Sequence, residues 1–586
     1  MNKHKELSQK DLIEEIKKFQ KEILILKKRK KYGLVWENKP EKFDKESKNA
    51  LPVLREKGGK FKNVISDQEQ GFNILIEGDN YHSLSVLNYT HRGKIDVIYI
   101  DPPYNTGSTE WKYNNNYLDK DNAFRHSKWL SFMEKRIKLA KNLLTNDGIL
   151  ICTIDENERA PLELLLQELF LNYKIVAVTV VHNPQGIQGN NFSYTHEYAL
   201  FVFKDVKDRI NKVKVEERRE GLRDDTGNSF LRTDAKNCFY PIFIRENKII
   251  GFGDIPNNNF HPTDRVIKKD KYTEIWPLRD GVERKWRYAK KSIEKISKSL
   301  FLKETKRGID VFQIKNTGKP KTVWIDPKYH AGGKYGTKLV EEIIGRGKFN
   351  FPKSLYSVID TLKIASSKNS LILDFFAGSG TTGHAVLNLN KEDGGNRKFI
   401  LCTNNELNGV GSELAKKNLS INKDKFGISQ RVTFPRLKKV IKGYKKITNR
   451  ESVKGLGGNI KYLKTDFIKI SESIDDLKEK IVEASTEILC LKENSFNKVF
   501  DNYNKNRIKI FENKNKYIAI LFDLFYFDDF VSELENLVDK KVSVYIFSYT
   551  RDFDKEEFGD LGQKINFSVE AIPEKILETY QKIFNF

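Results

Sequence analysis

A run of strand-forming residues that stops on an acid and two prolines constrains this chain more than any other feature. Val97-Ile98-Tyr99-Ile100 leads directly into Asp101-Pro102-Pro103-Tyr104-Asn105-Thr106-Gly107. Val, Ile and Tyr favour a buried strand. The proline pair ends it, because neither donates a ladder hydrogen bond and each constrains the residue before it. Asp101 and Tyr104 are therefore expected at the carboxyl end of a strand, on a stiff turn. Open α/β sheets bind ligands at that end.

A carboxylate, a proline-fixed carbonyl and an aromatic face suit an exocyclic amine on a flat ring. Such an amine is a poor nucleophile because its lone pair is delocalised into the ring. If Asp101 and the Pro102 carbonyl each accept one of its N–H bonds, the nitrogen is drawn towards a tetrahedral shape and the lone pair is freed. Tyr104 can stack on the ring and also favours a nearby cation. The same four residues suit an ordinary strand-to-loop turn as well.

At 586 residues the chain is too long for one core, and two to four domains are expected. The formal charge of +24 suits a polyanionic partner, usually nucleic acid, although lysine-rich composition alone produces the same excess. Cys152, Cys238, Cys402 and Cys490 are far apart and form no Cys-x-x-Cys pair. That argues against a disulfide framework or a zinc site and for a reducing compartment, and no metal is expected. No signal peptide and no apolar run of about 18 residues is seen, so a cytoplasmic location is expected.

Residues 8–31 read as a helix with an apolar stripe through Ile16, Phe19, Ile23 and Leu26, ending in the basic run Lys27–Lys31. With the segment to residue 69, which includes Tyr32-Gly33-Leu34-Val35-Trp36 as a strand or docking piece, it forms the N-terminal part. From 70 to 205, strands and helices alternate, the rhythm of a parallel sheet with right-handed crossovers. Asp79 follows the strand Phe72–Ile76 at the next helix start, where it reads as a helix cap. The polar, aromatic segment 108–125, with Trp111, reads as a loop over the site. Residues 206–345 break the rhythm. There Arg284-Lys285-Trp286-Arg287-Tyr288 interleaves cations and rings, a mixture that contacts phosphates and bases or simply decorates a surface.

A second strand-to-turn signal lies in 346–445. Leu371-Ile372-Leu373-Asp374-Phe375-Phe376 runs into Ala377-Gly378-Ser379-Gly380-Thr381-Thr382-Gly383, with a helix expected from about Thr381. Glycines let the backbone approach a ligand, and the N–H groups of a helix start favour an anionic group. Glu406, after the strand Phe399–Thr403, is placed to accept ribose hydroxyls. The glycine spacing also fits a dinucleotide site. Residues 446–586 read as a separate small α/β domain, with a helix expected over 472–490.

Asp101-Pro102-Pro103-Tyr104 resembles the catalytic motif of the amino-methylating DNA methyltransferases. Asn105-Thr106-Gly107 resembles their adenine-specific members in which the catalytic motif precedes the cofactor motif. The order of catalytic motif, variable region and cofactor motif is similar to that of the beta group, and specifically to the modification subunit of Type III restriction–modification systems. Arg431-Val432-Thr433-Phe434-Pro435-Arg436 and Gly455-Leu456-Gly457-Gly458-Asn459 resemble signatures of those subunits. The resemblance implies an α/β, Rossmann-like methyltransferase sheet in circular order, an inserted target-recognition domain at 206–345, and a C-terminal assembly domain. It implies S-adenosyl-L-methionine as cofactor, held by Asp79, Lys353, Asp374, Phe376, Gly378, Gly380, Thr381, Thr382 and Glu406. Lys353 enters through Phe351-Pro352-Lys353-Ser354, which resembles the motif that closes over the cofactor. Asp101, Pro102, Pro103 and Tyr104 would be catalytic. Asn105, Trp111, His196, Arg284, Trp286 and Arg287 would meet DNA, His196 through Thr195-His196-Glu197-Tyr198, which resembles a motif near the target base. The implied partners are double-stranded DNA, a second copy in a homodimer, and a helicase–nuclease subunit. An orphan enzyme, an N4-cytosine methyltransferase and a catalytically idle specificity subunit stay open as alternatives.

Overall fold

The computed structural model describes residues 36, 41, 49–58, 63–65, 71–106, 112–113, 116–117, 124–225, 229–407, 409–418, 423–471, 473–503, 507–548, 553 and 555–584. The expected helix over 8–31, the segment 32–35, Gly107 and Trp111 lie outside them.

Ten strands build the central sheet: β1 (Ala50–Glu56), β2 (Phe72–Glu77), β3 (Ile95–Ile100), β4 (Leu144–Ile154), β5 (Tyr173–Val181), β6 (His196–Lys204), β7 (Val323–Trp324), β8 (Leu371–Asp374), β9 (Lys398–Thr403) and β10 (Asn459–Lys469). Their order across the sheet is β1-β10-β2-β9-β8-β3-β4-β6-β5-β7. The run from β10 through β2, β9, β8 and β3 to β4 is parallel, while β6 runs antiparallel to both its neighbours. The parallel strands are apolar along both faces, as a sheet covered by helices on each side requires. Ile95, Val97, Ile98 and Ile100 of β3 are wholly buried. Helices α1 (Asn80–Thr90), α2 (Arg125–Lys141) and α3 (Arg159–Leu169) share one core with these strands through Leu84, Trp129, Ile137 and Leu165.

The chain reverses its direction across the sheet between β8 and β3. β8 leads by the helix Thr381–Asp393 to β9 on one side, and β3 leads by α2 to β4 on the other. Leu373 of β8 pairs with Ile98 of β3, so Asp374 and Asp101 end neighbouring parallel strands. The sheet is the open, mostly parallel α/β type expected, with the strand that ends in Asp101 coming earlier in the chain than its neighbour that ends in Asp374.

The boundaries differ from those expected. Ile210–Pro320 forms the second compact unit, rather than 206–345. It contains a three-stranded and a four-stranded antiparallel sheet around a core of Tyr240, Ile242, Ile275, Trp286 and Val311. Residues 321–345 return to the larger unit: β7 pairs with β5, and helix α4 (Thr337–Ile344) follows. A strand of two residues carries no periodicity to read. The C-terminal part is not wholly separate either. β10 lies between β1 and β2 inside the central sheet, and a five-stranded sheet over 497–572 has its own core. The helix expected over 472–490 is two, Ile474–Glu483 and Thr486–Glu493. Among the described residues no helix is long and apolar enough to cross a membrane, and no group of three or more acid, His or Cys side chains could hold a metal.

Candidate active site

The turn after β3 is pinned from several directions. Thr153, near the end of β4, donates to Asp101 Oδ1 at 2.6 Å. Lys353 Nζ lies 3.2 Å from the same oxygen. Both contacts fall on Oδ1, and among the described residues no partner takes Oδ2. The Asp101 side chain keeps 29% of its exposure. Trp129 Nε1 of α2 donates to the Pro103 carbonyl at 2.6 Å, which fixes the second proline and occupies its oxygen. Pro103 therefore shapes the turn, and Pro102 beside it is buried.

Lys353 sits just before helix α5 (Leu355–Ala365) and joins more than Asp101. It lies 2.5 Å from Glu197 Oε2, donates to the Tyr104 hydroxyl, and stands 4.5 Å from the Tyr104 ring centroid. The Tyr104 hydroxyl donates to Glu197 at 3.1 Å. Burial draws the Lys353 ammonium down, but the Asp101 and Glu197 carboxylates outweigh it and hold the group above its ordinary value. Burial pushes Glu197 up, and the Lys353 charge, followed by His182, brings it below the usual carboxylate range. Burial, then the two carboxylates, push the Tyr104 phenol well above its usual value, so it remains a neutral donor. The sequence placed Lys353 with the cofactor; the structure brings it onto Asp101. Glu197 was passed over for its neighbour. Side chains alternate along a strand, and His196 turns to Tyr198, with its Nε2 3.0 Å from the Tyr198 hydroxyl, while Glu197 joins the cluster.

Asn105 is also placed differently from expectation. It is buried at φ 56, a left-handed conformation that Asn tolerates. Its Nδ2 donates to Glu158 Oε1 at 2.5 Å, and His126 Nδ1 lies 2.7 Å from the same oxygen. Asn105 locks the exit of the turn rather than facing a ligand. Burial raises Glu158, with Asn105 and His126 acting against it.

The turn after β8 has another character. Asp374 is 2% exposed, accepting from Thr382 Oγ1 at 2.5 Å and from the Phe376 N–H at 2.9 Å. Burial raises its carboxyl to about 7. It organises the loop from inside. Thr381 and Thr382 are likewise buried. Gly378 and Gly380 adopt φ 48 and 79, and Gly380 caps helix α6 (Thr381–Asp393), whose first turn holds no acid. A Cβ on Gly383 would meet Leu437 at 2.9 Å and Leu401 at 3.0 Å, so the third glycine serves packing. Beneath the loop lies Arg436 of helix α7 (Phe434–Lys442), wholly buried. It donates to Ser379 Oγ at 2.9 Å and Thr381 Oγ1 at 2.9 Å. Burial lowers its guanidinium to about 10. The sequence marked Arg436 only as part of a signature.

Phe376, half-buried, packs 5.9 Å from Phe132. Asp79 caps α1, accepting from the Tyr81 N–H at 2.7 Å, and keeps 42% side-chain exposure. Asn80 beside it donates to the Phe375 carbonyl at 3.0 Å, tying α1 to the glycine turn. Glu406 is exposed beyond β9, where Asn404 donates to its carboxylate. Asp79, Glu406, the left-handed glycines and a helix start that no side chain caps lie at the ends of β2, β9 and β8, neighbours in the sheet, and suit a ligand with an anionic tail and vicinal hydroxyls.

In the second unit, Trp286 is wholly buried and donates to the Tyr240 carbonyl at 2.7 Å. It is core, not a reader of bases. Lys285-Trp286 is a short strand, so the ring faces opposite to its basic neighbours. Arg287 is exposed and lies 3.0 Å from Glu220, and the Arg284 guanidinium stands 4.1 Å from the Phe230 ring centroid.

A family model for DNA methylases matches residues 95–424, more than half of the chain. The Type III restriction-modification enzyme EcoPI Mod subunit of Escherichia phage P1 is 29% identical over 474 residues, 72% of this chain and 68% of its own. Type II methyltransferase M.KpnI of Klebsiella pneumoniae is 32% identical over 366 residues, 58% of this chain and 82% of its own. The StyLTI Mod subunit of Salmonella typhimurium is 30% identical over 375 residues, 58% of this chain and 54% of its own. The family match runs from β3 and the turn after it, through the inserted unit, past the glycine turn that ends the neighbouring strand, and the chain belongs to the DNA methylase family: it is a DNA methyltransferase.

Proposed function

We propose that this chain methylates the N6 amine of adenine in duplex DNA, as the modification and specificity subunit of a Type III restriction–modification system. The observation that carries the reading is Asp101, held by Oδ1 and with Oδ2 open, one strand away from the glycine turn. S-adenosyl-L-methionine supplies the methyl group when bound, and the glycine turn, Asp79, Phe376 and Glu406 are the residues that fit it. The target adenine leaves the stack at a cost of a few kcal/mol. Asp101 Oδ2 and the Pro102 carbonyl each accept one amine N–H, and the Tyr104 ring supports the base. With S-adenosylmethionine bound, the amine held by Asp101 and Pro102 would take its methyl group and leave S-adenosylhomocysteine, and the proton lost from nitrogen would pass to Asp101 Oδ2 and on to solvent. Lys353 keeps a positive charge beside the carboxylate as the pocket excludes water, so the acceptor is fixed before the substrate arrives. Asp rather than another residue at position 101, with Asn105-Thr106-Gly107 after it, favours adenine over cytosine.

The relatives' names point to DNA as substrate and to assembly with a restriction subunit. A homodimer that joins a helicase–nuclease chain is the arrangement we favour over an orphan enzyme, and gel filtration with and without the neighbouring gene product distinguishes them. The chemical identity of the product tests the reading. DNA from a methylation-free host expressing this chain is digested to nucleosides and analysed by mass spectrometry. N6-methyladenine supports the proposal. N4-methylcytosine overturns the choice of base, and no methylated nucleoside in DNA exposed to a chain that binds S-adenosylmethionine refutes the activity.

A further inference from the structure

Between β5 and β6 the chain makes a small hairpin that the catalytic reading leaves unused. Ile187 pairs with Tyr194 and Gln188 with Ser193, and the Gly189 N–H donates to the Phe192 carbonyl at 2.9 Å. At its base the Asn183 N–H donates to the Thr195 carbonyl at 3.1 Å. In a chain with 31% charged residues, none falls in the thirteen from Asn183 to Thr195. The hairpin instead carries amides and exposed apolar groups: Phe192 is 77% exposed, Ile187 60% and Tyr194 45%. Contiguous exposed apolar surface marks an interaction site.

Its position says which partner it meets. The hairpin runs straight into His196 and Glu197, and Glu197 holds Lys353 and Tyr104. A second exposed ring, Phe351, lies two residues before Lys353, with φ 54, a conformation bulky residues rarely adopt. Glu197, next after the hairpin and His196, and Lys353, two residues after Phe351, both contact the Asp101–Tyr104 turn, so both ring-bearing segments lead directly into that cluster. A hairpin built for the phosphate backbone would carry Lys or Arg. One without charge, with a protruding ring and flanking amides, is matched to the interior of a base stack, where apolar side chains wedge between steps and amides meet base edges.

We propose that the hairpin Asn183–Thr195 inserts into the duplex as the target base is extruded, with Phe192 filling the vacated place in the stack. The inference rests on the methyltransferase reading above. Single-turnover methylation is measured on two duplexes carrying the chain's own target site, one fully paired and one with the target base mispaired, so that extrusion is already eased. Phe192→Ala should slow the paired duplex by about 10-fold or more and the mispaired duplex by less than about 3-fold. Phe192→Leu, which keeps an apolar wedge, should recover most of the rate on the paired duplex. Phe525→Ala, which removes an equally exposed ring from the C-terminal part, should leave both rates unchanged. Equal slowing on both duplexes, or no slowing on the paired one, overturns the wedge and leaves the methyltransferase reading standing. So does a shift of Phe192→Ala to a smaller species in gel filtration, which would assign the ring to a subunit contact. A wild-type chain that methylates neither duplex removes the reading and the wedge together.

Discussion

The turns after β3 and β8 end adjacent parallel strands, and each begins with an aspartate, yet they are built in opposite ways. Asp101 keeps 29% of its side-chain exposure and is held on one oxygen by side chains from two other elements. Asp374 is 2% exposed, and both its oxygens are satisfied within its own loop. The first carboxylate is ready to accept from something outside the chain. The second is spent on making a backbone shape. Identical chemistry at equivalent sheet positions is thus divided between a group left partly open and a group enclosed by its own loop, and the difference lies in the partners rather than in the residue.

That division can be broken at the glycine turn first. Gly380→Val places a branched side chain at φ 79, with its Cβ 3.2 Å from Thr433. Strain of this kind costs about 1–3 kcal/mol before any clash. Calorimetric titration should show cofactor affinity about 100-fold weaker, with the fold retained by circular dichroism. Unchanged affinity would mean the ligand does not use this turn.

The next test moves to the catalytic side. Lys353→Met removes the cation that joins Asp101, Glu197 and Tyr104. Turnover should fall about 10- to 100-fold, while cofactor affinity stays within about 3-fold. The opposite pattern, weak cofactor binding with normal turnover at saturation, would return Lys353 to the cofactor role that the sequence implied.

The smallest effect is on pH dependence. The Asp374 carboxyl is raised from 3.8 to about 7 in the folded chain. The folded state therefore keeps a proton that the unfolded chain releases, and this group makes stability fall as pH rises from about 4 to about 7, then level off. Asp374→Asn removes that dependence. The difference in melting temperature between wild type and variant, without cofactor, should change by about 2 °C across that window and stay constant above it. A constant difference from pH 4 to pH 8 would show that the buried carboxyl titrates normally.

Both turns were legible in the sequence because each is local: a strand, its stop signal and its glycines or prolines lie within a dozen residues. What was not legible depends on partners far along the chain. Lys353 meets Asp101 only because α5 starts beside β3, and nothing near Phe351-Pro352-Lys353-Ser354 encodes that. Glu197 stands beside His196 in one short motif, and only strand alternation, which sends the two side chains to opposite faces, separates them. Trp286 read as a surface ring because cations flank it; the same alternation, applied to Lys285-Trp286-Arg287, would have sent it to the core. The end of the inserted unit at Pro320 rests on a two-residue strand, too short for any pattern to show.

The most direct test of the account is Asp101→Asn, measured for cofactor binding and for methyl transfer in the same preparation. The account predicts S-adenosylmethionine affinity within about 3-fold of wild type and turnover reduced at least about 1,000-fold, because an interaction made only with the reacting amine is lost. Turnover near the wild-type rate, or loss of cofactor binding in step with loss of turnover, would contradict the division of labour between the two turns.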